Sequence, residues 1–415
     1  MATYYIDNIN GNDALDGLSP ETARRNYTDI DVQAGDTVLF RRGSFYRDIL
    51  HAERRVSYGA YGEGSMPTFC GSEDISCADL WEQTSTENVW KCKKALCGDV
   101  GNIVFNESEC TATLRWSAEE LSAQGDFYDE KLAFGTREQN EESKPTLYIY
   151  SRGNPANVYN HIEAVTYGKR QLVALRDGMS FENLRFINSG VHGMAGKGNN
   201  ITVRSCAFEN IGGCYWSVTR KIRFGNAFEI WEYGDDILIE SCTFKNVYDS
   251  CITHQGPGEK TKPAKRFICR GCTFDTYGMA AAEYRDKLPI ESAFTGNICL
   301  HAGCGFAMRG EALPRNSEIW PLPMGHHIFL WRIEHASPGG SLEIKENYFG
   351  GAEVGAAVYS LISPEAEAQV HTKNNVYTHG APLLIHWGAE DFAELEAYKA
   401  KTGKDHGSTY GKTIL

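Results

Sequence analysis

The stretch that decides the fold is Asn200-Ile-Thr-Val-Arg-Ser-Cys-Ala-Phe-Glu-Asn210, because it comes back. It returns as Asp236-Ile-Leu-Ile-Glu-Ser-Cys-Thr-Phe-Lys-Asn246 and as Arg266-Phe-Ile-Cys-Arg-Gly-Cys-Thr-Phe274. Weaker copies are Ser341-Leu-Glu-Ile-Lys-Glu-Asn-Tyr-Phe349, Gln369-Val-His-Thr-Lys-Asn-Asn-Val-Tyr377 and, upstream, Gly178-Met-Ser-Phe-Glu-Asn-Leu-Arg-Phe-Ile-Asn188. Each copy alternates apolar and polar residues and then turns, which is a short strand with one buried face. The spacing is too irregular for propeller blades or leucine-rich repeats. Short strands, Gly/Asn/Asp turns and variable insertions fit a coiled solenoid. The fold class is therefore all-β: a right-handed parallel β-helix with an inserted β-rich subdomain and long loops over one face. In such a coil Cys206, Cys242 and Cys272 stack on successive rungs about 4.8 Å apart, and Asn347 and Asn375 continue the column. These cysteines read as an internal ladder of small apolar groups rather than as metal or redox ligands.

A second strand precedes each copy. Aligned, these strands are Val191–Lys197, Asn226–Glu232, Asp249–Gln255, Met279–Arg285, Cys304–Gly310, Val354–Ser360 and Ala381–Trp387. Their third and fifth columns are mostly apolar or small, so the sixth is expected to point outward. It reads Gly196, Trp231, His254, Tyr284, Arg309, Tyr359, His386. An outward stripe of aromatics, histidines and arginine suits sugar rings, whose C–H faces lie on aromatic planes while polar groups bind hydroxyls.

The outer parts are read by composition. Residues 1–70 are a cap and opening coils, with Asp36-Thr-Val-Leu-Phe-Arg41 as a strand. Residues 71–165 break the repeat and form the inserted subdomain, residues 166–390 are the main coil with the active face, and 391–415 are a helical or capping tail. Insertions at 212–225, 256–265 and 311–338 are candidate site loops. The pair His326-His327 is no metal site, since neighbours on an extended segment point opposite ways.

Composition bounds the partners. The chain has 415 residues, 54 acidic against 41 basic, for a net charge of −13. That sign disfavours nucleic acid. No run of about eighteen apolar residues exists, so no membrane partner is expected. The 13 cysteines show no paired zinc spacing, and no metal or cofactor is expected. Met-Ala-Thr-Tyr-Tyr-Ile-Asp7 lacks the basic and apolar regions of a secretion signal, which reads as cytoplasmic, or as secreted or periplasmic if a leader has been removed.

Tyr4-Tyr-Ile-Asp-Asn-Ile-Asn-Gly-Asn-Asp-Ala-Leu-Asp-Gly-Leu-Ser-Pro-Glu-Thr-Ala23 and Tyr58-Gly-Ala-Tyr-Gly-Glu-Gly64 resemble the N-terminal signature of pectate-lyase-like β-helix enzymes. Within that group, Gly125-Asp-Phe-Tyr-Asp129, Tyr148-Ile-Tyr-Ser-Arg-Gly-Asn-Pro155 and Arg223-Phe-Gly-Asn-Ala-Phe-Glu-Ile-Trp231 resemble bacterial glycoside hydrolase family 141 and its uncharacterised relatives. The resemblance spans nearly the whole chain. It implies retaining-type hydrolysis of plant glycans such as xylan or fucosylated side chains. Arg24 stands where relatives carry tryptophan, in the cap.

Glycoside hydrolysis needs two carboxyl groups, about 5–5.5 Å apart for retention and about 6.5–9.5 Å for inversion. The central coils offer Glu229, Glu232, Asp249 and Glu283 as catalytic candidates, and the resemblance raises Glu229 and Asp249. The assumed register puts Glu283 inward, unless a one-residue slip turns it out; inside, it is a buried acid paired with Arg285 or Arg309. Expected substrate contacts are His192, Lys197, Trp231, His254, Gln255, Tyr284, Arg285, Arg309 and Glu311. Two other functions compete. A polysaccharide lyase would draw its base and cationic clamp from Lys197, His254, Arg285 and Arg309, with Ca²⁺ as a possible aid. A non-catalytic glycan-binding coil would lose nothing when the acids are neutralised. The main reading is a hydrolase acting on an oligo- or polysaccharide of plant or host origin.

Overall fold

Alternating apolar and polar residues wind the chain into a parallel β-helix with three long sheets. The structure, a computed structural model, describes residues 1–130, 144–168, 171–256, 260–309, 324–352, 354–378 and 380–411. In the central coils the chain passes from sheet III to sheet I to sheet II and returns to sheet III one rung higher. One such circuit is Phe228–Trp231, Ile237–Glu240 and Thr243–Val247, followed by Ser250–Gln255. Sheets I and II hold ten strands each and pair in parallel throughout. Sheet III holds nine among the described residues, of which its last strand, Glu390–Phe392, turns antiparallel. The hand is the right-handed one that parallel crossovers adopt.

The repeated phrase forms the rungs of sheets I and II. Its aromatic residue points inward and stacks on the copy above. Phe186–Phe208, Phe208–Phe244 and Phe244–Phe274 have centroids 5.5, 5.0 and 4.8 Å apart. At the corner between sheets I and II the expected column is present. The Cys242 amide donates to Cys272 Sγ at 3.4 Å, and the Cys272 amide donates to Asn297 Oδ1 at 2.9 Å. Asn297, Asn347 and Asn375 continue it: the Asn297 and Asn347 amides each donate to the next side chain at 3.0 Å, and the Asn375 amide donates to Ser408 Oγ at 2.8 Å. Asn297 belongs to the ladder although its phrase had lost its resemblance to the others. All 13 cysteines are free, and burial pushes the Cys206 thiol well above its ordinary value.

The corner between sheets II and III uses a different device. Asn188, Asn210 and Asn246 have φ of 55°, 57° and 53°, the left-handed region that asparagine tolerates best after glycine. Their side-chain amides bond in series at 2.9 and 3.1 Å. The last residue of these three phrases thus turns the chain into sheet III.

Residues between the early and main coils build a separate layer. A mostly antiparallel five-stranded sheet runs Thr113–Leu114, Asp126–Asp129, Leu147–Tyr150, Val89–Cys92, Trp81–Gln83. Beside it lies an antiparallel trio of Glu73–Asp74, Ile162–Thr166 and Val100–Phe105. Its core of Trp81, Ile103, Phe127 and Ile149 is distinct from that of the coil. Buried polar groups tie the two layers together. Glu163 accepts from Arg47 at 2.6 Å and from Ser72 at 2.8 Å, and Arg223 donates to the backbone oxygens of Gly213 and Gly101. At the far end the helix Leu395–Thr402 seats Tyr398 against Trp387 and Phe392.

One expected rung is elsewhere. Residues 304–309 do not form a strand; Phe306–Met308 make a short 3-10 turn. The sheet III rung is His326–Trp331, within the segment read as a loop, and it pairs with Ala280–Arg285. Arg309 therefore does not belong to the sheet III face. Among the described residues no helix is long and apolar enough to cross a membrane.

Candidate active site

Sheet III fixes the outward columns. Register pairs Ala195 with Glu229, Glu229 with Thr253, Thr253 with Glu283, Glu283 with Phe329, Phe329 with Tyr359 and Tyr359 with His386. This column faces out. The flanking positions Ile252, Ala282, Ile328 and Val358 lie in the core, as do Ile230, Tyr284 and Leu330. Two residues further along each strand comes a second outward set: Trp231, Gln255, Arg285 and Trp331.

The expected outward column is thus corrected. His254 and Tyr284 point inward, 0% and 1% exposed, and Gly196 shares the inward column of Ile230. Trp231, Tyr359 and His386 do face out. The cause is local. Cys251 and Ile252 both enter the core, as do Ala281 and Ala282. Two successive inward residues flip the parity of everything that follows. The same flip turns Glu283 outward.

Glu229 and Glu283 are brought together, two rungs apart with Thr253 between them. Glu229, 2% exposed, accepts from Asn226 Nδ2 at 2.9 Å and from Gln255 Nε2. His192 Nδ1 lies 3.0 Å from its Oε2 and accepts from the Asn226 backbone amide at 3.2 Å. Burial pushes the Glu229 carboxyl up, but the neighbouring His192 and the bonds from Asn226, Gln255 and Trp231 outweigh it and hold the group below its ordinary range. Glu283, 5% exposed, meets Ser250 Oγ at 2.7 Å and accepts from Trp331 Nε1 at 2.7 Å. A hydroxyl can donate or accept, so Ser250 suits this carboxyl in either protonation state. Arg285 Nη1 stands 3.8 Å from Glu283 Oε1, and its guanidinium lies 5.1 Å from the Trp331 ring centre. Phe329, Tyr359 and His386 continue the face, with the Tyr359 and His386 rings stacked at 4.3 Å.

The other candidates lie around this centre. Asp249 is buried at the entry to its rung, next to Ser250. Glu232 sits in the turn after Trp231 with φ 65° and pairs with Lys197 Nζ at 3.0 Å, at the rim. Arg309 follows the 3-10 turn, near Cys110 of the inserted layer. Glu311 lies outside the described residues. Asn226, Ser250, Thr253 and Trp331 are the side chains the sequence reading passed over. Asn226 lies two residues before the strand Phe228–Trp231 that carries Glu229. Among the described residues no cluster of three His, Cys, Asp or Glu forms a metal site. A hollow lined by Asn199, Tyr233, Asp235, Lys262 and Lys265 opens near the rim, and another lies in the N-terminal coils among Tyr27, His51 and Tyr58. Neither contains the two glutamates.

The inward His254 has a thermodynamic consequence. Among the described residues neither ring nitrogen makes a side-chain hydrogen bond, and burial lowers its pKa to about 4, against a small opposing pull from the Lys262 backbone. The unfolded chain takes up a proton near the ordinary value of 6.5, while the folded chain resists until about 4. Stability is therefore full above 6.5 and is lost as pH falls through that window. Unfolding midpoints measured across it should fall less in His254→Gln than in the wild type; equal slopes would refute the assignment.

No family model matches the chain. One curated protein, the RNA-directed RNA polymerase beta chain of Escherichia phage MS2, is 26% identical over 167 residues, 38% of this chain. The chain spans 27% of that protein's length, and such a match shows no family. Among solved structures the chain resembles XylC in complex with xylose, with a TM-score of 0.50 and 12% identity over 92% of this chain and 65% of that one, just under two thirds of its length. It is also similar to the GH136 lacto-N-biosidase of Eubacterium ramulus, with a TM-score of 0.47 and 14% identity over 92% of this chain and 61% of that one. The pectate lyase Pel9A gives 0.45 and 13%, over 100% and 77%. At these identities the likeness is one of fold.

Proposed function

We propose that this chain is a carbohydrate-active enzyme, and specifically a glycoside hydrolase working on the outward face of sheet III. The observation that carries the reading is the pair Glu229 and Glu283 in one outward column, in different hydrogen-bonding environments. Two carboxyl groups whose surroundings differ are what acid and nucleophile or base roles require. Glu229, held ionised, takes the nucleophile or base role. Glu283, beside a hydroxyl that accepts either protonation state, takes the acid role. Trp231 offers an aromatic plane at the edge of the pair, and Gln255 and Arg285 offer donors for sugar hydroxyls. The β-helical solved structures that the chain resembles include enzymes of glycans, and the motif resemblance to glycoside hydrolase family 141 points toward xylan or fucosylated plant glycans.

A lyase reading is less well supported by the side chains. Of its four candidate cations, His254 faces the core, Arg309 is off the sheet, Lys197 pairs with Glu232, and Arg285 lies among Glu283, Asp286 and Trp331. The test is incubation with xylan, fucosylated xyloglucan, polygalacturonate and a panel of p-nitrophenyl glycosides. Release of saturated reducing sugar that disappears in Glu283→Gln is the expected result. Products that absorb in the ultraviolet would establish a lyase instead, and binding without turnover a lectin-like coil.

A further inference from the structure

We infer that Thr253 holds the attacking water between the two glutamates, and that the reaction inverts the anomeric configuration. The inference rests on the hydrolase reading above and departs from the retention that the family 141 resemblance implies. Thr253 sits in the outward column with Glu229 on one side and Glu283 on the other, each one rung away. Its side chain is shorter than theirs, so the column has a notch one rung deep at this point. Rungs are about 4.8 Å apart, which puts the two glutamate backbones about 9.6 Å apart. Side chains rooted two rungs apart can hold a water between their carboxyl groups, the arrangement of inversion, whereas retention needs the carboxyl groups about 5–5.5 Å apart.

The second observation is independent of spacing. Thr253 is 0% exposed, yet its Oγ1 has no hydrogen-bond partner among the described residues. A buried hydroxyl without a partner costs free energy that folded proteins recover by binding water or ligand. The four carboxylate oxygens beside it are engaged from other directions: by His192, Asn226 and Gln255 on Glu229, and by Ser250 and Trp331 on Glu283. The Thr253 hydroxyl is thus a polar group on the floor of the notch with a free donor and free lone pairs. A water bonded there lies between base and acid.

The step balances. The water oxygen attacks the anomeric carbon from the face opposite the leaving group, and Glu229 takes its proton. The bond from the anomeric carbon to the glycosidic oxygen breaks, and that oxygen takes the proton of Glu283. One water is consumed, two hydroxyls are formed, and exchange with solvent restores both carboxyl groups. Thr253 is a positioning residue for the water.

The experiment uses the full chain and the substrate from the panel above that it turns over. Proton nuclear magnetic resonance identifies the anomer released first, and Thr253→Val and Thr253→Ser are compared with wild type. Expected are an inverted first product and a fall in kcat of about 10- to 100-fold in Thr253→Val, the loss of one hydrogen bond to the attacking water. KM should stay within about threefold and the unfolding midpoint should be unchanged, with most of kcat retained in Thr253→Ser, which keeps the hydroxyl. A retained configuration overturns the inference but leaves hydrolysis standing, and so does an undiminished kcat in Thr253→Val. No turnover of any glycan overturns the hydrolase reading and this inference together.

Discussion

Glu229→Gln is expected to lower turnover by about 10²- to 10⁴-fold, the usual worth of a positioned acid or base. The substitution keeps the shape of the side chain and one oxygen, so the contact with Asn226 Nδ2 can survive. It removes the charge that faces His192 at 3.0 Å. Because the carboxyl is held ionised below its ordinary range, the wild type has this group ready across the neutral region and loses it only as pH falls through that lowered value. The acid limb of its pH–rate profile should therefore lie below the ordinary carboxylate range, and glycan binding should outlast turnover in the variant. Initial rates against pH, with binding measured in parallel, check both points. A variant within about threefold of wild type would remove Glu229 from the chemistry.

Phe244→Ala is expected to cost about 3–5 kcal/mol of stability, the range for emptying a buried aromatic site. Phe244 is 1% exposed and lies between Phe208 and Phe274, whose rings stand 5.0 and 4.8 Å from it and nearly parallel, at 3° and 6°. Its removal opens a gap inside the stack that neighbouring rungs cannot close, because their spacing is set by the backbone ladders on either side. In a solenoid each coil rests on its neighbours, so the loss at one rung reaches the coils above and below. Denaturant midpoints give the value, and a cost under about 1 kcal/mol would mean that the stack contributes shape rather than stability. Phe244 faces the interior from sheet II, so activity below the unfolding range should persist.

The coil itself was legible because its signal is repeated. Alternation in Asn200–Asn210 and Asp236–Asn246 set the strands, and the cysteine and asparagine positions set the stack. What the sequence hid was parity. Period-two counting assumes that each residue faces opposite its predecessor, and Cys251-Ile252 and Ala281-Ala282 break that rule with two inward residues in succession. Small or apolar pairs give no warning, since either member suits the core. His254 and Tyr284 were therefore counted onto the wrong face, and Glu283 with them. The rung His326–Trp331 was hidden for a related reason: it is buried along its whole length, its outward residues included, so it shows no alternation. Thr253 was passed over because an isolated threonine on a strand is ordinary until its neighbours in space are known to be two carboxylates.

The stacked thiols carry a consequence for handling the protein. In the native coil all but Cys77, Cys97 and Cys304 are sealed from solvent. Cys206, Cys242 and Cys272 lie on neighbouring rungs at a backbone spacing within the range that disulfide bridges span. Once the chain unfolds, 13 thiols with no native pairing become available together, and in air any bridge they form is a wrong one. Recovery after heating or denaturation is then governed by the reducing power of the solvent, and irreversible loss on ageing would reflect mispaired sulfur more than any weakness of the coil.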